Sequence, residues 1–449
     1  MRVLFVSRGF PPHGRWGTEA YTSLLASGLA REGHEIRVFH PDVRDDREPY
    51  SLYDVEDGPF VVTRVVLPRT RSKRLEQSYS DSALEAAFER ALLRHQPDVV
   101  HFTYLLWTLS VRLPQVAKRH GVACVLTATD FGLACHRGQY FDWRQQDCGG
   151  PHSAEVCARC IREPSRDDGS KVEVAAKRWA AFFLAQVGGA GKVVVGADLE
   201  RREHSVREAM AAIDEAVAPT EEVARMLARV GVDEERITRL CYAVDESIMD
   251  VARAEPTSKV PRIGFMGQFA PHKGPHVLLD AVSILEQRLP ESVEPWEVVL
   301  YGEGIEGRHR LYPQRLRAAP LGPRVSIAAP FETRAVGEAF AALSCIVVPS
   351  LWRENAPLCA LEARAAGIPV IASRVPGLSE IIQPGVHGQL FPPGDARALA
   401  DLLRDVILGR IAPRHAPSQP ITYAAHVSRV AQLHRRALAR SAGKHVHAS

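Results

Sequence analysis

No stretch of this 449-residue chain stays apolar for the about 18 residues that a membrane-spanning helix needs, so an integral membrane protein is not expected. Charge of one sign is equally scarce. Fifty-six Lys and Arg against 53 Asp and Glu leave a formal net charge of +3, too little to imply a nucleic-acid tract. One local basic run, RTRSKR from Arg69 to Arg74, reads as a solvated loop, with docking on anionic lipid as the alternative. Low-complexity tracts and internal repeats are missing, which argues against a repeat array. The opening MRVLFVSRGF has an apolar core far shorter than a signal peptide's, and no small-residue cleavage site follows it. A cytoplasmic protein is therefore expected, with peripheral contact at the inner face of the membrane left open. No G-x-G-x-x-G follows the first apolar run, which ranks a two-domain dehydrogenase low.

The chain holds enough apolar residues, 46% of the total, to fill two cores of the size its length implies. One rhythm occurs twice. Val3 to Ser7 is a short apolar run ending in a Gly/Pro loop, and Thr18 to Arg31 then repeats apolar residues at helical spacing. IRVFH, VVTRVVL, DVVHF, ACVLT and KVVVG are further strand candidates, with helical patterns such as 82–95 between several of them. Such alternation predicts a parallel sheet covered on both faces. After a polar, proline-flanked linker (252–260) the rhythm restarts with RIGFMG, a helix over about 274–289, EVVLYG, RVSIA, CIVVPS, PVIAS and HGQLF. The expected architecture is two doubly wound α/β domains, 1–251 and 261–415, facing a cleft, with ligands at the carboxyl ends of their strands.

The stretch LWRENAPLCALEA, residues 351–363, holds two glutamates eight positions apart. CIVVPS reads as a buried strand ending at Ser350. Pro357, with no N–H to lose, suits the first turn of a following helix, with Glu354 or Asn355 at its cap. The amides of Ala356 and Leu358 would then point out of a helix N-terminus, which is an anion site. On such a helix Glu362 falls about 12 Å along the axis from Glu354 at 1.5 Å per residue. Carboxylates acting on one glycosidic bond stand only about 5–9.5 Å apart. The pair therefore reads as two grips on a long ligand of sugar, diphosphate and ribose, with two solvated helix-terminal charges as the plainer alternative.

The segment VPSLWRENAPLCALEARAAGIPVIAS, followed by GLSEII and GVHGQLFPPGD, resembles the signature of the family 4 glycosyltransferases, retaining enzymes of GT-B fold with two Rossmann-like domains. The E-x7-E element is present as Glu354 and Glu362, and GQFAPHKG (267–274) is similar to the family's G-x5-K-G element. PPHGRWGTEAY (11–21) is similar to its N-terminal glycine loop and YGEG (301–304) to its donor-domain turn.

By position, the resemblance implies that Glu354 binds donor-sugar hydroxyls while the backbone through Asn355, Ala356, Pro357 and Leu358 touches sugar and phosphate. Glu362 would bind the ribose, and Lys273 would neutralise the departing diphosphate. Gly14 and Gly17 would let diphosphate or acceptor approach the backbone. The final segment, 416–449, would cross back to the N-terminal domain and let the two domains hinge around bound donor. The implied activity is transfer of a hexose-type sugar from a nucleotide-diphosphate sugar to a hydroxyl of a glycan or glycolipid in surface-polysaccharide assembly. Attack is on the same face, no cofactor is required, and no D-x-D metal set is present.

Three positions depart from the family pattern. Gln268 stands where arginine is common, Thr129 precedes Asp130 where histidine is common, and Ala243 replaces a glycine. Asp130 is the best polar candidate of the N-terminal domain, with a loop or capping role as its alternative. A catalytically silent sugar-nucleotide sensor or scaffold is the competing function. Cys135, Cys148, Cys157 and Cys160 cluster in an insert at about 131–165, the last two as C-x2-C. A structural zinc site and four reduced, non-liganding thiols fit this spacing equally. His101, at the end of DVVHF, reads as structural rather than cleft-facing. Trp107, Trp143 and Trp352 suit either sugar stacking or packing.

Overall fold

The computed structural model describes residues 1–164, 194–244, 260–290, 295–304, 311–328, 336–412 and 415–446, with Ala176 and His309 and without His13, Arg15 and 72–74. Its first sheet comprises β1 (Arg2–Val6), β2 (Glu35–Val43), β3 (Leu52–Asp57), β4 (Phe60–Leu67), β5 (Val99–Phe102), β6 (Ala123–Thr127), β7 (Glu215–Ala218) and β8 (Ile237–Arg239). Around it lie helices α1 (Gly17–Arg31), α2 (Ser82–His95), α3 (Leu113–Arg119), α4 (Ala154–Arg162), α5 (Gly196–Ala211) and α6 (Glu221–Arg229). The second sheet comprises β9 (Arg262–Met266), β10 (Glu297–Tyr301), β11 (Val325–Ala328), β12 (Cys345–Val348), β13 (Val370–Ser373) and β14 (Gly388–Phe391). Its helices are α7 (Pro275–Arg288), α8 (Tyr312–Ala318), α9 (Val336–Ala341), α10 (Leu358–Ala365), α11 (Pro376–Ile381) and α12 (Ala396–Ile407), and a final α13 (Tyr423–Val446) follows.

The strands β5, β6 and β7 are buried at every position, as continuous apolar runs are when helices cover both faces of a sheet. Each fully buried valine, leucine or phenylalanine there contributes on the order of 1.5–3 kcal/mol. Helix α2 begins where Asp81 accepts the Leu84 N–H at 3.1 Å and ends at Gln96, whose φ is 43°. The expectation of purely parallel sheets fails at one edge. β3 and β4 pair antiparallel across the two residues Gly58 and Pro59, because no crossover helix fits so short a connection. KVVVG is no strand where it is described, since α5 starts at Gly196. The linker expected at 252–260 lies outside the described residues except for Val260, as do residues 329–335.

Strand order places the chemistry. The second sheet runs β11-β10-β9-β12-β13-β14, so its order reverses between β9 and β12. The first runs β3-β4-β2-β1-β5-β6-β7-β8 and reverses between β1 and β5. Loops leaving the carboxyl ends of strands diverge at such switch points and leave a crevice.

Helix α13 belongs in sequence to the second half but packs on the first sheet. Its Tyr423 donates to Leu24 O at 2.6 Å, and its Arg440 bonds the fully buried Glu215 at 2.9 Å. His434 meets His101 at 2.9 Å, while the other ring nitrogen of His101 lies 2.8 Å from Thr127 Oγ1. His101 is therefore a core residue stacked on Phe5 and not a cleft residue. The basic run at 69–74 is also partly structural. Arg71 pairs with Asp81 at 2.8 Å and donates to the carbonyls of Trp107 and Gln77.

Candidate active site

At the second switch point β9 leads through Gln268 into a short turn, 271–273, that ends at Lys273. Gly274 follows with φ 68°, and a Cβ there would sit 1.9 Å from Pro349 O, so only glycine lets this turn touch the end of β12. From β12 the chain passes Ser350 and reaches Glu354, a non-glycine residue with φ 48°. Gly377 holds that loop, since a Cβ on it would lie 2.5 Å from the carbonyl oxygens of both Glu354 and Asn355.

These two loops bring Lys273 and Glu354 together. Lys273 Nζ donates to Glu354 Oε1 at 2.7 Å and to Oε2 at 3.0 Å, and Ser350 Oγ donates to Oε1 at 2.5 Å. The ammonium also lies 4.8 Å from the ring centroid of Trp352, and His272 packs against that ring. Glu354 is 2% exposed. A carboxylate so buried needs hydrogen-bond partners, and it has an ammonium and a hydroxyl. Nearby Cys359 is no nucleophile, because burial pushes its thiol up to about 12.

The helix after Glu354 starts later than the sequence suggests. Pro357, at φ −65° and ψ 122°, is the residue before α10 rather than within its first turn, and Leu358 is the first helical residue. Glu354 and Asn355 therefore do not cap it. With residues 354–357 outside the helix, the two glutamates are not two helical turns apart, and Glu362 sits about one turn into α10, half-buried. Pro357 supplies no side-chain cap, and the Ala360 N–H turns back to Pro357 O at 3.1 Å, so the amides of Leu358 and Cys359 are the ones placed to meet an anion.

Asn355 has another task. Its Nδ2 donates to Ala128 O and to Tyr242 Oη, both at 3.0 Å, and Tyr242 Oη donates to Ala128 O at 3.1 Å. Its side chain thus ties the β12–α10 loop to the end of β6. An apolar cluster containing Tyr21, Tyr242, Ala356 and Leu361 backs the same junction. Removing this amide in Asn355→Ala leaves the buried Tyr242 hydroxyl short of a partner. The variant is expected to lose about 1–2 kcal/mol in urea unfolding with its secondary structure intact.

On the opposite wall, Asp130 lies two residues past Ala128 and accepts the Gly132 N–H at 2.8 Å, closing its own loop. Thr129 Oγ1 donates to Thr103 O at 2.8 Å and accepts from Thr18 Oγ1 at 2.9 Å, which links the ends of β5, β6 and α1. The first switch point carries Arg8, which donates to the buried Glu19 at 2.7 Å and stacks over Tyr104. Although burial opposes its charge, Glu19 keeps the Arg8 guanidinium ionised. Gly14 is packed against Glu19, whereas a Cβ on Gly17 would meet nothing within 4 Å. The backbone at the start of α1 therefore faces open space. α1 also begins without a side-chain cap.

Sequence reasoning singled out Lys273, Glu354 and Glu362 but missed Ser350, Arg353 and Arg8. The signals lay in SLWRE and VSRGF, polar residues directly after buried strands. The insert borders the same site. Arg353 bonds Asp147 at 3.0 Å, pairs with Glu222 and lies over the Tyr140 ring, while Gln139 reaches His272 at 3.2 Å. Burial pushes the Cys148 thiol up to about 11. Among the described residues no helix is long and apolar enough to cross a membrane.

Residues 17–243 match the family model described as glycosyl transferase 4-like domain, and residues 250–424 match that of glycosyl transferases group 1. The chain is 30% identical over 266 residues to D-inositol 3-phosphate glycosyltransferase of Acidothermus cellulolyticus, covering 53% of this chain and 59% of that one. To the Streptomyces avermitilis protein of the same name it is 37% identical over 164 residues, 34% and 35% of the two chains. The match thus spans no more than 59% of the length of these relatives. Among solved structures, sucrose-phosphate synthase from Thermosynechococcus elongatus superposes with a TM-score of 0.58 at 17% identity, over 99% of this chain and 94% of that one. Anabaena Alr3699/HepE in complex with UDP-glucose gives a TM-score of 0.58 at 14% identity, over the full length of both. At such identities the likeness is one of fold.

Proposed function

Because this chain belongs to the family 4 glycosyltransferases, enzymes of the two-domain GT-B fold, we propose that it moves a hexose-type sugar from a nucleotide-diphosphate sugar to a hydroxyl of a glycan or glycolipid, with retention and without a metal. The observation that carries this reading is the Lys273–Glu354 pair at the β9/β12 switch point, 2.7 Å apart and beside an uncapped helix N-terminus.

In this reading the donor's diphosphate lies across the start of α10, and Lys273 turns from Glu354 to the phosphate oxygens. Glu354, released, accepts hydrogen bonds from sugar hydroxyls, and Glu362 accepts from the ribose. As the glycosidic bond breaks, negative charge grows on the diphosphate, where an ammonium and fixed amides cost no reorganisation. Positive charge grows on the sugar ring above Glu354. The leaving phosphate takes the acceptor's proton on the face it departs from, so configuration is kept. Asp130 and the open backbone at Gly14 and Gly17 line the acceptor side, and Gln268 offers the donor an uncharged amide.

The test is release of UDP, GDP or ADP from a panel of nucleotide sugars, with a bacterial lipid extract or inositol 3-phosphate as acceptor, in EDTA, comparing wild type with Glu354→Ala. Release from one donor that vanishes in the variant is the expected result. Donor held tightly without release would make the chain a sugar-nucleotide sensor or scaffold. Dependence on added metal would overturn the metal-free mechanism. Its setting in this reading is the cytoplasmic face of the membrane, in surface-polysaccharide assembly.

A further inference from the structure

Among its described residues, the insert between β6 and α5 has no core of its own: its buried Phe131, Leu133, Tyr140 and Phe141 join the core of the first domain. Its helix α4 buries a single side chain, Ala158. Small modules without a core of their own usually need a staple, a disulfide or a metal. Cys135, Cys148, Cys157 and Cys160 all line one hollow of about 350 Å³. Cys157 and Cys160 stand three apart on α4, hence on one face. Cys135 and Cys148 bracket a hairpin in which Asp142 accepts the Arg144 N–H at 2.8 Å and Phe141 bridges Asp147. Cys148 N donates to Tyr140 O at 3.0 Å, and Tyr140 N donates to Cys135 Sγ at 3.2 Å, the kind of N–H that stabilises a thiolate.

A second observation concerns charge. Arg202, on α5, is 2% exposed beside this hollow and donates to Gly132 O and Leu133 O. Among the described residues no carboxylate pairs with it. Cys135, Asp130 and Glu203 lie within electrostatic reach of it, and Arg137 donates to Cys160 O at 2.7 Å. A buried guanidinium is costly unless countercharge stands close to it. Neutral thiols supply no countercharge, whereas four thiolates around one divalent cation carry a net charge of −2.

We propose that Cys135, Cys148, Cys157 and Cys160 bind one structural zinc ion. Binding releases the four thiol protons, makes four Zn–S bonds and changes no oxidation state. The neighbouring histidines are not ligands. His136 Nδ1 accepts from Arg202 at 3.0 Å, and His152 Nε2 is engaged with Cys148 O. As the thiols stand, Cys148 Sγ is turned to Gly150 O at 3.4 Å and Cys157 Sγ to His152 O at 3.8 Å. Among the described residues no group of three His, Cys, Asp or Glu is yet close enough to hold an ion. In the zinc-bound form these two side chains turn from their backbone carbonyls into the hollow. The consequence for catalysis rests on the transferase reading. The zinc module holds Tyr140 and Asp147 against Arg353, the residue before Glu354.

The experiment is metal analysis of the purified full chain, with Cys157→Ser/Cys160→Ser as the test variant and Cys124→Ser as control. The expected result is about one zinc per chain in wild type and control and near none in the test variant. In metal-stripped, reduced wild type, cobalt(II) should give the charge-transfer band of a four-thiolate site, which needs no variant to fold. A chain that takes up neither metal after reduction, retains zinc in the double variant, or holds these cysteines as disulfides would overturn the proposal. Each of these readouts is independent of sugar transfer.

Discussion

Replacing Lys273 by alanine is expected to lower kcat by on the order of 10²- to 10³-fold, the loss typical when one preorganised charge is withdrawn from a developing anion. The effect should fall mainly on kcat, because the diphosphate gains charge as the bond breaks and the ammonium is worth most then. Stability will also move. With Lys273 gone, Glu354 keeps only the Ser350 hydroxyl among its described partners, and stranding one member of a buried ion pair costs about 3–5 kcal/mol. A neutral companion separates the two effects. In Lys273→Met/Glu354→Gln no charge is stranded, so melting should recover towards wild type while turnover stays low. A Lys273→Ala enzyme with kcat near wild type would remove Lys273 from the chemistry.

Acidification should weaken the folded chain from about pH 6.5 downward, well before its carboxylates titrate. Burial holds His426 down to about 4 and His434 to about 3, and His101, fully buried against His434, is also lowered. In the unfolded chain histidine titrates near 6.5. Between these values the unfolded state binds more protons, so stability falls with pH, approaching 1.4 kcal/mol per pH unit for each histidine. Above about pH 6.5 both states are neutral there and the dependence vanishes. The check is the urea midpoint between about pH 7 and about pH 5, with His434→Gln retaining a polar group opposite His101. The slope should be positive with pH and shallower in the variant. An identical slope in the variant would show that α13 docking is not what titrates.

Much of this architecture is legible in the sequence because parallel strands buried on both faces announce themselves. VVHF, ACVLT and CIVV can be little else, and Asp81 fixes the start of α2. The short edge elements are harder. EAVA opens with the fully buried Glu215, whose cations come from α13, and nothing local predicts that. The antiparallel β3 carries mixed polarity at the sheet edge, where half its face is open. At the site, residue spacing finds Lys273 and Glu354, but their pairing depends on strand order, which places β12 beside β9 although α7 to α9 intervene. The late start of α10 has a similar origin. Asn355 looks like a cap in isolation, yet its amide serves Ala128, 227 positions away.

The docking of α13 also bears on how the chain is made. His101 waits 333 residues for His434, and Glu215 waits 225 for Arg440. While a ribosome is still building the second half, the first half holds a carboxylate it cannot bury and a histidine facing an empty groove. The nascent N-terminal domain is then a loosened intermediate, open to chaperones and proteases until the last turns emerge. Premature termination between Glu354 and Arg436 would yield a product that retains Lys273 and Glu354 yet cannot close its first domain.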